Sequence, residues 1–274
     1  MIFADMQGTK VPALGFGTWQ LTGATCEKAV RAALEIGYRH VDTAQVYENE
    51  AEVGRAIAES EVPRGNIFLT TKIWMPSLAG SKVAPSVDQS LKKLRTDYVD
   101  LLLIHWPNSE IPLAETLDAF ARVKAAGKAR AIGVSNFTVA LMKEAVAHLG
   151  EEIVCNQVEY HLLLSQKPVL DYAREHGIVV TAYCPLARGR LIGNAVIERV
   201  AQKHGKSLSQ VALRWLLEQK NVIAIPRTST EKHARENFAV FDFALDAEDR
   251  RALDALPGGT RVVNPGWSPE WDAA

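Results

Sequence analysis

The chain has 274 residues, 47% of them hydrophobic and 23% charged, with a formal net charge of −1. That length accommodates one large α/β domain or two small ones, and the near-neutral balance gives no electrostatic case for nucleic acid or an anionic membrane as partner. No apolar run approaches the ~20 residues of a membrane helix. Met1-Ile2-Phe3-Ala4-Asp5 has no basic segment leading into an apolar core, so no signal peptide is expected. The three cysteines, Cys26, Cys155 and Cys184, form no CxxC pair, and their odd number argues against a disulfide framework and for a reduced, cytoplasmic setting.

In chain order, Ile2 to Leu14 holds two short β-like runs around Gln7-Gly8, the pattern of a hairpin. Leu14-Gly15-Phe16-Gly17-Thr18-Trp19 reads as a strand whose glycines imply close backbone approach. From there strands and helices alternate. Strands are expected at 14–18, 38–42, 67–72, 98–104, 129–134, 153–158, 178–183 and 222–225. Helices are expected at 25–36, 49–60, 82–95, 112–126, 138–149, 167–176, 208–219 and 230–239, with Gly37 stopping the first of them. Strands such as Val99-Asp100-Leu101-Leu102-Leu103-Ile104 are apolar almost throughout, so both faces should be buried, as in a parallel sheet.

Two architectures fit such alternation, a doubly wound open sheet and an eightfold barrel. Eight units in this length match the barrel, and no GxGxxG opens a helix after the first strand, so the open dinucleotide-binding sheet lacks its fingerprint. The expected fold is therefore a (β/α)8 TIM barrel with an N-terminal β-hairpin and two extra helices, at 194–204 and 247–256, on the outside. No linker divides the chain, so residues 1–274 are read as a single domain. The tail from Gly258 to Ala274, rich in Gly, Pro and Trp, is expected to cross one face of the barrel.

Ionisable residues mark the strand ends. Asp42 ends the second strand and Tyr47 follows it; Lys72 ends the third; His105 directly follows the fourth. Strand ends of a barrel converge on one rim, so these residues can meet although far apart in sequence. A buried Lys72 needs an anion, and Asp42 is the nearest candidate. A free phenol, with pKa ~10, is a poor proton donor near neutrality; an adjacent ammonium is expected to lower that value. A neutral His105 could donate a hydrogen bond to a substrate oxygen. Together the four suit carbonyl reduction, given a hydride source. Glu48, Glu50 and Glu52 read instead as solvated residues at the following helix start.

With these residues stand Leu14-Gly15-Phe16-Gly17-Thr18-Trp19, Gly37-Tyr38-Arg39-His40-Val41-Asp42-Thr43-Ala44 with Tyr47, Leu101-Leu102-Leu103-Ile104-His105-Trp106-Pro107, Ile132-Gly133-Val134-Ser135-Asn136-Phe137, Asn156-Gln157-Val158-Glu159-Tyr160-His161 and Ile225-Pro226-Arg227-Thr228. In this order the stretches resemble the aldo-keto reductase family, from near residue 14 to near residue 243. The resemblance implies a (β/α)8 barrel and NADP(H)-dependent interconversion of carbonyls and alcohols. It assigns Tyr47 as general acid/base, Lys72 and Asp42 as its tuning pair, and His105 to substrate orientation. It also implies that Ser135, Asn136 and Gln157 hold the nicotinamide carboxamide, and that the ring stacks on Tyr183. Gly17, Thr18, Trp19 and Asp42 border the cofactor, and Cys184, Pro185, Leu186 and Arg188 pass over the pyrophosphate. Ile225, Arg227, Thr228, Ser229 and His233 meet the adenosine end, and Glu236 and Asn237 the adenine. Local sequence alone reads Ser135-Asn136 equally well as a helix N-cap.

His233 stands where the family commonly has Arg, and a largely neutral imidazole suits a ribose phosphate less than a guanidinium, so NAD(H) is expected to serve beside NADP(H). Trp19, Tyr47, Trp74, His105 and Trp106 are the expected substrate contacts, with Trp267 or Trp271 of the tail completing the wall and Asn108 and Arg190 as polar candidates. The expected partner is a small carbonyl compound and the expected state a monomer, with no metal. Two other functions fit the fold: a regulatory member that binds the cofactor with little turnover, and a phosphate-binding barrel lyase. The complete tetrad opposes the first. The second requires a glycine-rich loop, absent from Ile225-Pro226-Arg227-Thr228.

Overall fold

The computed structural model describes residues 1–273. A hairpin of β1 (Phe3–Met6) and β2 (Thr9–Pro12) precedes an eight-stranded parallel sheet: β3 (Phe16–Gly17), β4 (His40–Asp42), β5 (Phe68–Ile73), β6 (Val99–Ile104), β7 (Ala129–Ser135), β8 (Ile153–Glu159), β9 (Val179–Tyr183) and β10 (Val222–Ala224). Each strand pairs with its neighbour in chain order. The cylinder is closed between its first and last strands, where Gly15 N–H donates to Ala224 O at 2.9 Å and Ala224 N–H to Ala13 O at 2.8 Å. The fold is the expected (β/α)8 barrel. The strand expected at 14–18 is regular only over Phe16–Gly17, with Leu14 bridging Ala224.

The helices fall within a few residues of the expected spans: α1 (Gly23–Ile36), α2 (Glu50–Ala58), α3 (Gly80–Leu94), α4 (Leu113–Ala125), α5 (Val139–Leu149), α6 (Lys167–Glu175), α7 (Ala195–His204), α8 (Leu208–Leu217), α9 (Glu231–Phe238) and α10 (Ala247–Asp254). In α1 the buried residues Cys26, Ala29, Val30, Ala33 and Leu34 recur at helical spacing and face the sheet. Gly37 stops this helix at φ 123°, a conformation few other residues tolerate. The extra helices α7 and α10 share a small outer cluster with α8 that includes Leu191, Ile197, Val211 and Leu253.

The core has two layers. One lies between strands and helices. The other fills the cylinder, where Phe68, Leu101, Leu103, Val179 and Ile223 pack with Ala4, Met6 and Val11 of the hairpin, so the hairpin plugs the N-terminal end. The opposite end is left to polar strand termini. The close approach expected of the first glycines is real: a Cβ on Gly17 would lie 2.7 Å from Ile225 O.

Candidate active site

Asp42 ends β4, and Lys72 lies one residue before the end of the neighbouring β5, so both side chains enter the rim of the cylinder. Lys72 is fully buried, and its Nζ donates to Asp42 Oδ1 at 2.5 Å and to Thr43 O at 2.9 Å. The third neighbour of Nζ is the phenol oxygen of Tyr47, at 3.3 Å. Asp42 Oδ2 accepts from Gln157 Nε2 at 2.8 Å, so both carboxylate oxygens are occupied. Burial pulls the Lys72 ammonium below its ordinary range, opposed by Asp42.

Tyr47 sits in a short 3-10 turn, Gln45–Tyr47, that its neighbours pin on both sides. Gln45 Nε2 donates to Ser86 Oγ at 2.7 Å and Ser90 Oγ at 2.9 Å, while its Oε1 accepts from Trp74 N–H at 3.1 Å. Asn49, buried just beyond the turn, donates to Thr18 O and Leu21 O, each at 2.8 Å, and accepts from Thr43 Oγ1 at 2.7 Å. Neither amide was singled out in the sequence; two amide side chains in one rim loop are the signal that marks them.

Burial pushes the Tyr47 phenol well above its usual range, and the Asp42 carboxylate adds to the rise. This corrects the expectation that Lys72 lowers it. The ammonium is locked against a carboxylate, so the pair presents little net charge to the phenol, and desolvation prevails. Tyr47 is therefore a neutral phenol at pH 7. His105 is neutral as well: burial holds it well below its ordinary value, and the Lys72 charge pushes the same way. Its ring packs edge-on against Tyr47 at 5.5 Å and Trp74 at 5.2 Å, and its Nδ1 has no partner among the described residues.

Ser135 and Asn136 do not cap a helix. The cap of α5 is Thr138, whose Oγ1 accepts from Leu141 N–H, and that leaves Ser135 and Asn136 free to turn inward. Asn136, at φ 63°, donates to His105 O at 3.0 Å and Ser135 Oγ at 3.1 Å and accepts from Tyr183 OH at 2.8 Å. Ser135 Oγ in turn donates to Gln157 O at 2.8 Å, so side-chain and backbone groups at the ends of β6, β7, β8 and β9 are joined in one network. At the other end, the Arg188 guanidinium lies 4.6 Å over the Trp19 ring, and Arg227 donates to Trp19 O at 2.9 Å and Gln20 Oε1 at 3.3 Å.

These groups border one cavity of about 850 Å³. Of the residues singled out in the sequence, Gly17, Thr18, Trp19, Asp42, Tyr47, Trp74, His105, Trp106, Ser135, Asn136, Gln157, Tyr183, Cys184, Pro185, Leu186, Arg188, Ile225 and Arg227 line it. Lys72 lies behind that wall. Thr228, Ser229, His233, Glu236 and Asn237 lie outside it, at the start of and along α9. Gln20, Val46, Pro226 and the tail residues Val262, Val263, Asn264 and Pro265 line it without having been foreseen. Trp267 also lines it, whereas Trp271 packs under Arg261 at 3.8 Å; Asn108 and Arg190 are not in the wall. Among the described residues no cluster of His, Cys, Asp and Glu is arranged for a metal.

A second expectation fails at the start of α2. Glu50 is not solvated but 1% exposed, its Oε1 accepting from Thr71 Oγ1 at 2.7 Å, and burial raises its pKa. The first turn of α2 lies on the outer face of β5, so its inward-facing residue is covered.

The Aldo/keto reductase family model matches residues 13–257. The methylglyoxal reductase DkgB of Escherichia coli O157:H7 is 45% identical over 266 residues, 96% of this chain and 99% of that protein. The glyoxal reductase of Bacillus subtilis (strain 168) is 40% identical over 256 residues, 93% of this chain and 92% of that one. A solved structure described as a putative 2,5-diketo-D-gluconic acid reductase B superposes with a TM-score of 0.96 at 48% identity, over 100% of this chain and 98% of that one. The chain belongs to the aldo-keto reductase family and is an oxidoreductase of carbonyl groups.

Proposed function

We propose that the chain reduces aldehyde and ketone groups of small molecules to alcohols, with NADP(H) or NAD(H) as the hydride source and Tyr47 as the proton donor. The observation that carries this is the Tyr47 phenol 3.3 Å from a buried, Asp42-paired lysine at the edge of one cavity. The donor set suits a nicotinamide dinucleotide. Ser135, Asn136 and Gln157 would hold the carboxamide, where Gln157 Oε1 has no partner among the described residues, and Tyr183 would back the ring. Two guanidiniums, Arg188 and Arg227, suit phosphate at the far end. When bound, the cofactor supplies hydride to the carbonyl carbon.

The chain's own residues handle the oxygen. His105, neutral, donates a ring N–H to it and orients the carbonyl. Tyr47, neutral at pH 7, gives it the phenolic proton. The phenolate left behind forms beside the Lys72 ammonium, which Asp42 keeps charged and aimed. At 3.3 Å and an effective dielectric of about 20, the ammonium taken alone would attract a full phenolate charge by roughly 5 kcal/mol, an attraction the paired Asp42 carboxylate offsets in part. The relatives named as methylglyoxal and glyoxal reductases support small 2-oxoaldehydes as the substrate class. The tryptophan walls support the same choice. In this proposal residues 1–274 work as one domain and one protomer in the reducing cytoplasm, consistent with three unpaired cysteines.

The test is Tyr47→Phe. Loss of reduced-nicotinamide absorbance with methylglyoxal should slow by about 10²-fold or more, while cofactor binding followed by fluorescence is unchanged. Turnover near wild type would move the acid elsewhere.

A further inference from the structure

We propose that Glu159 is a positioning residue that sets the substrate-side wall of the cavity by clamping the backbone of Val262 and Val263 across the barrel mouth. The proposal rests on the cavity being the carbonyl site. Glu159 ends β8 and is fully buried. Val262 N–H donates to its Oε1 at 2.6 Å and Val263 N–H to its Oε2 at 2.8 Å. His161 is the third donor: Leu163 N–H occupies His161 Nδ1, which leaves the ring proton on Nε2, 3.0 Å from Oε1. A carboxyl group so surrounded has one orientation, and its two oxygens fix two consecutive backbone amides.

The tail has a separate anchor upstream. Thr260 N–H donates to Leu163 O at 2.8 Å and Ser165 N–H to Gly258 O at 2.7 Å. Beyond Thr260 and before Asp272, every hydrogen bond from the tail to the barrel among the described residues ends on Glu159. That interval supplies the tail's share of the cavity wall, including Val262, Val263, Asn264 and Trp267. Trp267 meets Trp74 edge-on at 6.2 Å, and Trp74 meets His105 at 5.2 Å, so the tail's placement carries through to the residue that orients the carbonyl.

Glu159→Gln keeps the volume but turns one acceptor into an NH₂ facing an N–H. Hydrogen exchange should speed at Val262 and Val263 by about tenfold or more and stay unchanged at Thr260. For a bulky aryl aldehyde such as 4-nitrobenzaldehyde, KM should rise about tenfold with kcat within about twofold, while KM for methylglyoxal moves less than about threefold. Cofactor affinity should not move. Unchanged exchange at 262 and 263, an equal loss for both substrates and cofactor, or unchanged KM for the aryl aldehyde would each overturn the proposal. Should Glu159→Gln not fold, Val263→Pro, which removes one clamped N–H and keeps the carboxyl, decides by exchange at Val262 and by the same KM comparison. A wild-type protein inactive toward every aldehyde would overturn the reductase proposal instead, and the exchange result would still decide the clamp.

Discussion

Replacing Lys72 by Met separates the stability of the site from its chemistry. At 2.5 Å and an effective dielectric of about 20, the Lys72–Asp42 attraction is roughly 6–7 kcal/mol. Desolvating the two ions costs several kcal/mol each, so the intact pair adds little net stability. Lys72→Met leaves Asp42 buried without its cation, at a cost of about 3–5 kcal/mol. Asp42→Asn strands the lysine and should cost about as much. The double variant removes both charges, and its loss should shrink to about 1–2 kcal/mol, a coupling energy well beyond what an exposed pair shows. Urea unfolding reads these values. Activity follows another rule: any variant lacking the ammonium loses the partner of the nascent phenolate, so kcat should fall about 10²-fold or more in the single and the double alike. A double variant as unstable as the singles, or one with restored turnover, would refute the reasoning.

Other outcomes are open to direct measurement. His105 and His40 are both held below the ordinary histidine range by burial, so the unfolded chain binds protons that the folded chain refuses; stability should fall below about pH 6.5, by up to ~1.4 kcal/mol per pH unit for each, as read by urea midpoints between pH 7 and 5. Burial raises Tyr160 and Cys155 to about 12 and Tyr47 and Tyr183 above their usual range, so stability present at neutral pH should be lost as pH rises past the unfolded values, followed by thermal unfolding against pH. His233→Arg should improve kcat/KM for NADPH more than for NADH; equal effects would show that this position does not meet a 2′-phosphate, and a wild-type preference above about a thousandfold, ~4 kcal/mol, would refute the expected dual use. A Cβ on Gly54 would lie 2.4 Å from Lys93 O, so Gly54→Ala should wedge α2 from α3 and cost about 1–3 kcal/mol in chemical unfolding.

Much of the site was legible because a parallel barrel makes position along a strand equivalent to position in space. Asp42, Lys72 and His105 were found as strand ends, and Tyr47 as the phenol one loop away. The tail was not legible: nothing local in Arg261-Val262-Val263-Asn264 says that its amides end on Glu159, about a hundred residues earlier. Glu50 was misjudged because a helix start exposes only the residues facing away from the strand it covers. Asn136 was ambiguous because Ser and Asn serve equally as caps and as inward donors; Thr138, by taking the cap, settles it.

The sequence by itself determined the alternation of elements, the parallel sheet and the residues offered at each strand end, because these follow from periodicity and chain order. Only the tertiary structure decided the electrostatic state of those residues and the far wall of the cavity. Both depend on which groups from distant segments exclude water and cancel charge. Lys72 acts on Tyr47 as half of a neutral pair rather than as a free cation, and no spacing along the chain encodes that difference.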